Sequence, residues 1–535
     1  MKKIPYIAQQ GNRKVLMVND APFIMLAGEV HNSNASSVEY MEQVWSKAKE
    51  LGMNTLLLPV TWELVEPQEG VFDFSLVDEL IQQARRKEGK LGFLWFGSWK
   101  NAQCYYAPEW VKADTERFRR AQVVRGRNFC QLENFYGMSY TSLSYLCEET
   151  KKADAKAFAK LMAHIRTVDE EENTVVTVQV ENETGLMGSA RERSEEADAL
   201  FTAQVPEEFV HYMKEHTSTM VPQIKEAVEN GAVSGNWEEV FGEAAEELFS
   251  AYYVASYVNA VAKAGKEVYP LPMTVNCWLD KGEEPGKYPT GGPVSKVLEV
   301  WKYCAPEIDI FSADIYIKEF MDVCDEMTRR YQNPLYIPEC ATHSYAGPRA
   351  VYCVGHYHAI CYAPFGFEDM GKEFSASQGF LFGMDTTDPA LSTPQNVKEY
   401  GWYNKTLQSM MPLLTSRYGT EDLQAVSRER KDEDTMLFGD FGFKVLMDMP
   451  MIKRKDGVCL ILKESDDTFY VLGNGCMITY FSRNAQKPYV EIFSCEEGSF
   501  EAGAWKAGRR LNGDEVTMLM FETPQLLKIR LHVFD

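Results

Sequence analysis

"PFIMLAGEVHNSNASSVEYMEQVWSKAKELGMNTLLLPVTW" (22–62) decides the fold. Its first eight residues are a short apolar run ending on Glu29, and "NTLLLPVTW" (54–62) is a second such run. Between them, Ser36 and Glu39 have capping-box spacing, and Val38, Met41, Val44, Trp45, Ala48 and Leu51 share one helical face. Gly52 stands where a helix ends. Continuous apolar runs are the mark of strands buried on both faces, and a helix joining two of them implies parallel pairing.

The unit repeats. A second helix is expected from Ser75 to Lys87 and a third strand at "LGFLWFGSW" (91–99). Further apolar runs at 174–181, 272–278, 309–316, 334–340 and 359–366 supply five more strands, with helices over 244–265, 295–304 and 393–414. Eight strand–helix units predict a (β/α)8 TIM barrel over residues 1–418. Its long inserts, after strands three and four, follow C-terminal strand ends and would wall an active site. Beyond about Thr420, "GVCLILK", "TFYVLG", "MITYFS" and "YVEIFS" are short strands split by turn residues. Residues 419–535 are therefore expected to form a smaller all-β, sandwich-like C-terminal domain.

The chain has 535 residues, 45% of them hydrophobic, which is ample for a large core. A net charge of −23 repels nucleic acid and anionic membranes and leaves a neutral small molecule as the expected partner. The twelve cysteines are scattered and include no CxxC pair, which points to reduced thiols and a cytoplasmic location. "MKKIPYIAQQGNRKVLMVND" (1–20) lacks the apolar centre of a signal peptide, and no run of about 18 apolar residues occurs. "HYH" (356–358) has no third ligand, and His343 near Cys340 is no better, so neither a metal nor another cofactor is expected. Assembly as a homo-oligomer, with a neighbour walling the pocket, is compatible with the sequence, although no residue pattern marks its interface.

Barrel chemistry sits at the C-terminal strand ends. Those ends carry Glu29, Trp62 and Glu63, Ser98 to Asn101, Glu181 to Glu183, Trp278, Asp314 and Tyr316, and Glu339. In "VTVQVENETG" (176–185) and "PLYIPECATHS" (334–344) an apolar strand ends on a carboxylate. Strands four and seven face each other across the mouth, so their acids can flank one substrate. Glycoside hydrolysis uses such a pair: one carboxylic acid protonates the leaving oxygen while the other attacks the anomeric carbon, about 5–5.5 Å away in retaining enzymes. Strand parity does not separate Glu181 from Glu183, since positions two apart share a face.

"QVENETG" (179–185) resembles the acid/base strand of clan A glycoside hydrolases, especially the β-galactosidases of families 35 and 42. "TWELVEPQEGVFDFSLVD" (61–78) is similar to the segment after strand two that those families share. "AGEVHNSNASSVEYM", "YAPEWVKAD", "YPTGGPV" and "SADIY" resemble a bacterial branch grouped with family 35, a barrel followed by a small β-domain. The resemblance implies a retaining exo-β-glycosidase, a β-galactosidase acting on small oligosaccharides or glycosides. Glu183 would be the acid/base, Glu339 the nucleophile, and Asn182 the hydrogen-bond partner of the sugar 2-hydroxyl. Glu181 would be structural.

Position alone nominates Glu29, Asn101 and Tyr316 as substrate contacts, and Trp99 and Trp278 as sugar-stacking rings. One departure stands out. Where family 35 has a sugar-binding Glu before the Trp after strand three, "GSWKN" (97–101) has Ser98, so Glu29 or Glu63 would have to take over that contact. The alternatives are a β-glucosidase or other β-glycosidase using the same two glutamates, or a non-catalytic sugar-binding barrel.

Overall fold

In the computed structural model, which describes residues 3–132, 137–330, 332–374, 379 and 387–535, each of the eight apolar runs contributes one strand. The barrel strands are β1 (Met25–Glu29), β2 (Thr55–Thr61), β3 (Lys90–Phe96), β4 (Val175–Val180), β5 (Met273–Val275), β6 (Ile310–Phe311), β7 (Tyr336–Cys340) and β8 (Cys361–Pro364). They form one parallel sheet in the order β6-β5-β4-β3-β2-β1-β8-β7. The seam between β6 and β7 is closed by a single parallel bridge, Ile315 to Cys340, with the Ile315 N–H on the Glu339 carbonyl at 3.0 Å.

The helices follow the apolar stripes. Helix α1 (Val38–Glu50) buries Met41, Val44, Trp45 and Ala48. Its cap is Ser37, one residue later than the sequence spacing suggested, with Ser37 Oγ accepting from the Tyr40 N–H at 3.2 Å. Helix α2 (Ser75–Arg86) keeps its expected start, while the expected final helix over 393–414 is broken into Val397–Ser409 and Met411–Ser416. Pro412 sits in the first turn of the second piece, where its missing N–H costs nothing. The long helices α3 (Glu148–Asp169) and α4 (Ala245–Lys266) pack against each other outside β3 and β4.

The sequence reading placed no sheet ahead of the barrel. Tyr6–Gln10, Arg13–Val18 and Ala21–Phe23 form a three-stranded antiparallel sheet ahead of the barrel. Leu16 and Val18 join the interior residues Met25, Ala27, Leu57, Leu94 and Val176 in one cluster, so this sheet plugs the N-terminal end of the barrel. A packed interior leaves only the opposite mouth free for chemistry.

The C-terminal region is antiparallel throughout: β9 (Leu423–Ser427), β10 (Glu433–Phe438), β11 (Phe441–Leu446), β12 (Val458–Lys463), β13 (Thr468–Asn474), β14 (Cys476–Ser482), β15 (Tyr489–Glu501), β16 (Ala504–Leu511), β17 (Leu519–Phe521) and β18 (Gln525–Phe534). The sheets β9-β12-β13-β18-β15-β16 and β10-β11-β14-β17 enclose a core centred on Phe469, which touches Phe438, Phe441 and Phe443. Strand β12 explains its unbroken apolar run. Cys459 and Ile461 face this core, while Leu460 and Leu462 belong to the core of the barrel. Strands β12 and β13 of the larger sheet are buried on both sides, and Arg349, itself 1% exposed, spans the junction to Glu429 at 2.7 Å.

Candidate active site

Strand β4 ends at Val180, and the next residues break strand geometry: Glu181 has φ +63° and Glu183 φ +47°. Left-handed backbone at two non-glycine residues is costly, of order 1–3 kcal/mol each. It also removes the parity that made the two acids equivalent. Glu181 turns away from the mouth, accepting from the Trp99 N–H at 2.8 Å and lying against Asp154. Burial first, and then the Asp154 charge, raise its pKa well above the carboxylate range. Gly97 makes room for this pair, since a Cβ there would stand 2.7 Å from Glu181 Oε1 and 2.8 Å from Asp154 Oδ1.

Glu183 turns toward β7. One carboxylate oxygen each of Glu183, Asp314 and Glu339 lie within 4.8 Å of one another. Glu339 sits where the β7–β8 register shifts, between Ile337 and Cys340, a local irregularity of the sort that re-aims side chains. Tyr316 donates its O–H to Glu339 Oε2 at 2.8 Å, and the amides of Asn182 and Asn276 each approach Oε1 at 3.4 Å. Asn276 also donates to Asp314 Oδ2 at 2.8 Å and accepts from the Glu183 N–H at 3.0 Å, tying β4, β5, β6 and β7 together.

Among the described residues, one cation projects into this acidic ring. Lys100 Nζ lies 4.0 Å from Glu183 Oε2, with both side chains almost wholly buried. Burial opposes its charge, yet Glu339, Glu183, Glu29 and Asp314 together hold its pKa above the usual lysine value. Burial raises Glu183 to about 7, with the Glu339 charge adding to the rise and Lys100, Asp314 and the Trp278 side chain opposing it. Burial and then the charges of Glu339 and Glu183 raise Asp314 well above its ordinary range, and burial with Glu339 does the same for Glu29. The ammonium places a positive charge beside these converging carboxylates.

The structure therefore gathers Glu183, Glu339, Asn182, Glu29, Trp278 and Tyr316 at one place. Asn101 and Trp99 stand in the adjoining loop, where the Ala102 N–H donates to the Glu183 carbonyl at 3.0 Å. Trp99 is 1% exposed, and its ring meets that of Tyr257 at 80° with centroids 4.7 Å apart. Glu63 stays outside the group, 39% exposed and 3.7 Å from Lys112. Ser98 points away, donating to Asp154 Oδ2 at 2.6 Å beside Tyr257. Buried polar atoms without a hydrogen-bond partner among the described residues concentrate here: both Glu29 oxygens, Glu183 Oε2, Asn182 Oδ1, Asn101 Oδ1, Asp314 Oδ1 and the Trp99 indole N–H. Buried polar groups are ordinarily satisfied, so such a concentration marks a place for a hydroxyl-rich ligand or ordered water.

The sequence reading missed Lys100, Asn276 and His31. Asn276 left a signal, a polar residue ending an apolar strand on the same face as Trp278. His31, 2.9 Å from Asp369, lines with Tyr316, Phe365 and Lys372 a cavity of about 100 Å³ beside the acids.

Fold and site together define a barrel with a paired-glutamate centre at its C-terminal mouth. The model for "Glycosyl hydrolases family 35" matches residues 15–91, bearing out the resemblance carried by the motifs, and one for a "Domain of unknown function (DUF5597)" matches residues 403–521. A "Beta-galactosidase" of Xanthomonas manihotis is 38% identical over 66 residues, which are 12% of this chain and 11% of that protein. Similar solved structures include a beta-galactosidase from Bacillus circulans sp. alkalophilus (13% identity, TM-score 0.46, covering 72% of this chain and 56% of that one). Another is a beta-galactosidase from Halorubrum lacusprofundi (14% identity, TM-score 0.43, covering 72% and 58%). The chain thus aligns with little more than half of either structure, and with about a ninth of the Xanthomonas protein.

Proposed function

We propose that this protein is a retaining exo-β-glycosidase that releases terminal β-galactosyl units from small oligosaccharides or glycosides, with its catalytic barrel in residues 1–418 and the β-domain in 419–535. The observation that carries the reading is the facing pair, Glu183 and Glu339, with oxygens within 4.8 Å and Asn182 beside them. Such closeness fits the short carboxyl separation of double displacement.

In this reading Glu339, oriented by Tyr316 and Asn276, attacks the anomeric carbon. Glu183, held partly protonated near neutrality, gives its proton to the glycosidic oxygen, and the aglycone leaves as an alcohol. Esterification of Glu339 removes the negative charge that helped raise the pKa of Glu183, so Glu183 stays ionised and available as general base. It then takes a proton from water, which attacks the same carbon and frees Glu339. Asn182 is the partner for the 2-hydroxyl, and Glu29, with both oxygens unmet, takes the hydroxyl contact that Ser98 does not make. Tyr316, Asn101 and Trp278 complete the sugar's surroundings. Deep burial of the acids, 3% and 4% exposed, favours a pocket that accepts a chain end. The eleven cysteines whose side chains are described are free thiols, which suits a cytoplasmic enzyme.

The test is hydrolysis of a panel of 4-nitrophenyl β-glycosides by wild type and Glu339→Gln. Galactoside turnover that vanishes in the variant is the expected result. Turnover confined to another glycoside would remove the galactosyl assignment while keeping the glutamates, and no turnover from folded protein on any substrate would count against an enzyme.

A further inference from the structure

At the end of the barrel opposite the mouth, three parts of the chain meet around a cavity of about 360 Å³. The tip of the N-terminal sheet contributes Asn12 and Arg13, the segments before β7 and β8 contribute Arg329 and His356, and the first strands of the β-domain contribute Gln424 and Thr435. We propose that this cavity binds a phosphate-bearing small polar molecule, gripped by the guanidinium groups of Arg13 and Arg329.

The argument begins with Arg13. Its Nε is buried without a hydrogen-bond partner, although guanidinium donors are among the groups least tolerant of being left unmet. Arg430, which also borders the cavity, is already engaged by Asp322, Asp325 and the Met321 carbonyl. Arg329 is 66% exposed and, among the described residues, pairs with Asp325 at 3.3 Å. Glu421 and Asp434 also line the space, but Asp434 lies 3.4 Å from Lys431. Burial, and then the repulsion from Arg329, lower the Arg13 pKa against the opposing influence of Tyr357 and Glu421. Two guanidinium groups lining one space, one with a buried unmet Nε–H and the other exposed to solvent, are suited to the oxygens of a dianion, which accept forked N–H pairs. Burial, and then Arg329, push His356 down to about 4, so near neutrality it offers neutral hydrogen bonding alongside Asn12, Gln424 and Thr435. A volume inside the usual small-molecule range of about 300–1,000 Å³ exceeds what phosphate alone requires, which favours an ester with a small polar body. Such a ligand would cross-link the N-terminal sheet, the barrel and the β-domain without touching the acids at the mouth.

The test is thermal unfolding of the full chain with inorganic phosphate, glucose 6-phosphate, glucose, or potassium chloride at matched ionic strength. Wild type should show a saturable rise in Tm of a few degrees with phosphate or its ester and none with glucose or chloride, as expected for a ligand that binds only the folded state. Tighter apparent binding of the ester would identify the source as a sugar phosphate, and equal or tighter binding of phosphate would identify the free ion. Arg13→Gln and the exposed Arg329→Gln should each weaken the response at least about tenfold. No saturable rise in wild type, or an undiminished rise in both variants, would overturn the proposal.

Discussion

Replacing Lys100 with methionine should move the alkaline limb of the pH–kcat/KM profile upward. The ammonium lies 4.0 Å from Glu183 Oε2, with side-chain exposures of 5% and 4%, so solvent screens the pair little. At an effective dielectric of about 20, two unit charges at that distance interact by about 4 kcal/mol, equivalent to about 3 pKa units. Reorganisation and water entering the vacated space reduce this, and a shift of about 1–2 units is the expectation. The sign follows from which form the cation favours. Lys100 stabilises ionised Glu183 and holds its pKa down to about 7, so removing it keeps the acid protonated to higher pH. Methionine retains an apolar stem against the Phe96 ring, which the ammonium now overlies at 5.1 Å. Lys100→Arg, which keeps the charge, should leave the limb near its wild-type position. The assay is hydrolysis of a 4-nitrophenyl glycoside across the neutral and alkaline range, and the position of the limb, not its height, is diagnostic. An unmoved limb in folded Lys100→Met would refute either the coupling or the assignment of Glu183 as the acid.

Glu181→Gln should retain most activity, whereas Glu183→Gln should lose roughly 100- to 10,000-fold on substrates with poor leaving groups, measured side by side. The same Glu181 variant reads out a pH dependence of stability. A carboxyl whose folded pKa is raised contributes stability that is full below the unfolded value, here 4.5, and lost as pH rises through the folded value. Glu181→Gln fixes the neutral form, so in calorimetry its Tm should match or exceed wild type above neutrality, and any advantage should shrink toward pH about 4. Tyr316→Phe removes the donor 2.8 Å from Glu339 Oε2. With hydrogen bonds to charged groups contributing about 1.5–3 kcal/mol, kcat/KM should fall about 10- to 100-fold while thermal stability changes little.

The strands were legible because a barrel strand buried on both faces must be apolar throughout, and β2 and β4 contain no charged residue. The two facing glutamates were legible for the same reason, as charges where an apolar run stops. Glu181 and Glu183 became distinguishable only in three dimensions, since the left-handed turn that separates them has no glycine to announce it. Lys100 was hidden in "GSWKN", where a lysine in a loop ordinarily points to solvent. It is held inward by a turn whose next residues, Asn101 and Ala102, have φ +54° and +58°. The N-terminal sheet was missed because Tyr6–Gln10 is only partly buried and its strands are short. Trp99 was nominated for stacking from its position, but its packing against Tyr257 is set by α4, far away in sequence.

The most direct test of the central claim is trapping with a 2-deoxy-2-fluoro-β-galactoside bearing an activated leaving group, followed by proteolysis and mass spectrometry. The account predicts one covalent sugar, on the peptide containing Glu339, at Glu339 itself. A label on Glu183 or Glu29, or turnover with inversion at the anomeric carbon and no label, would contradict it.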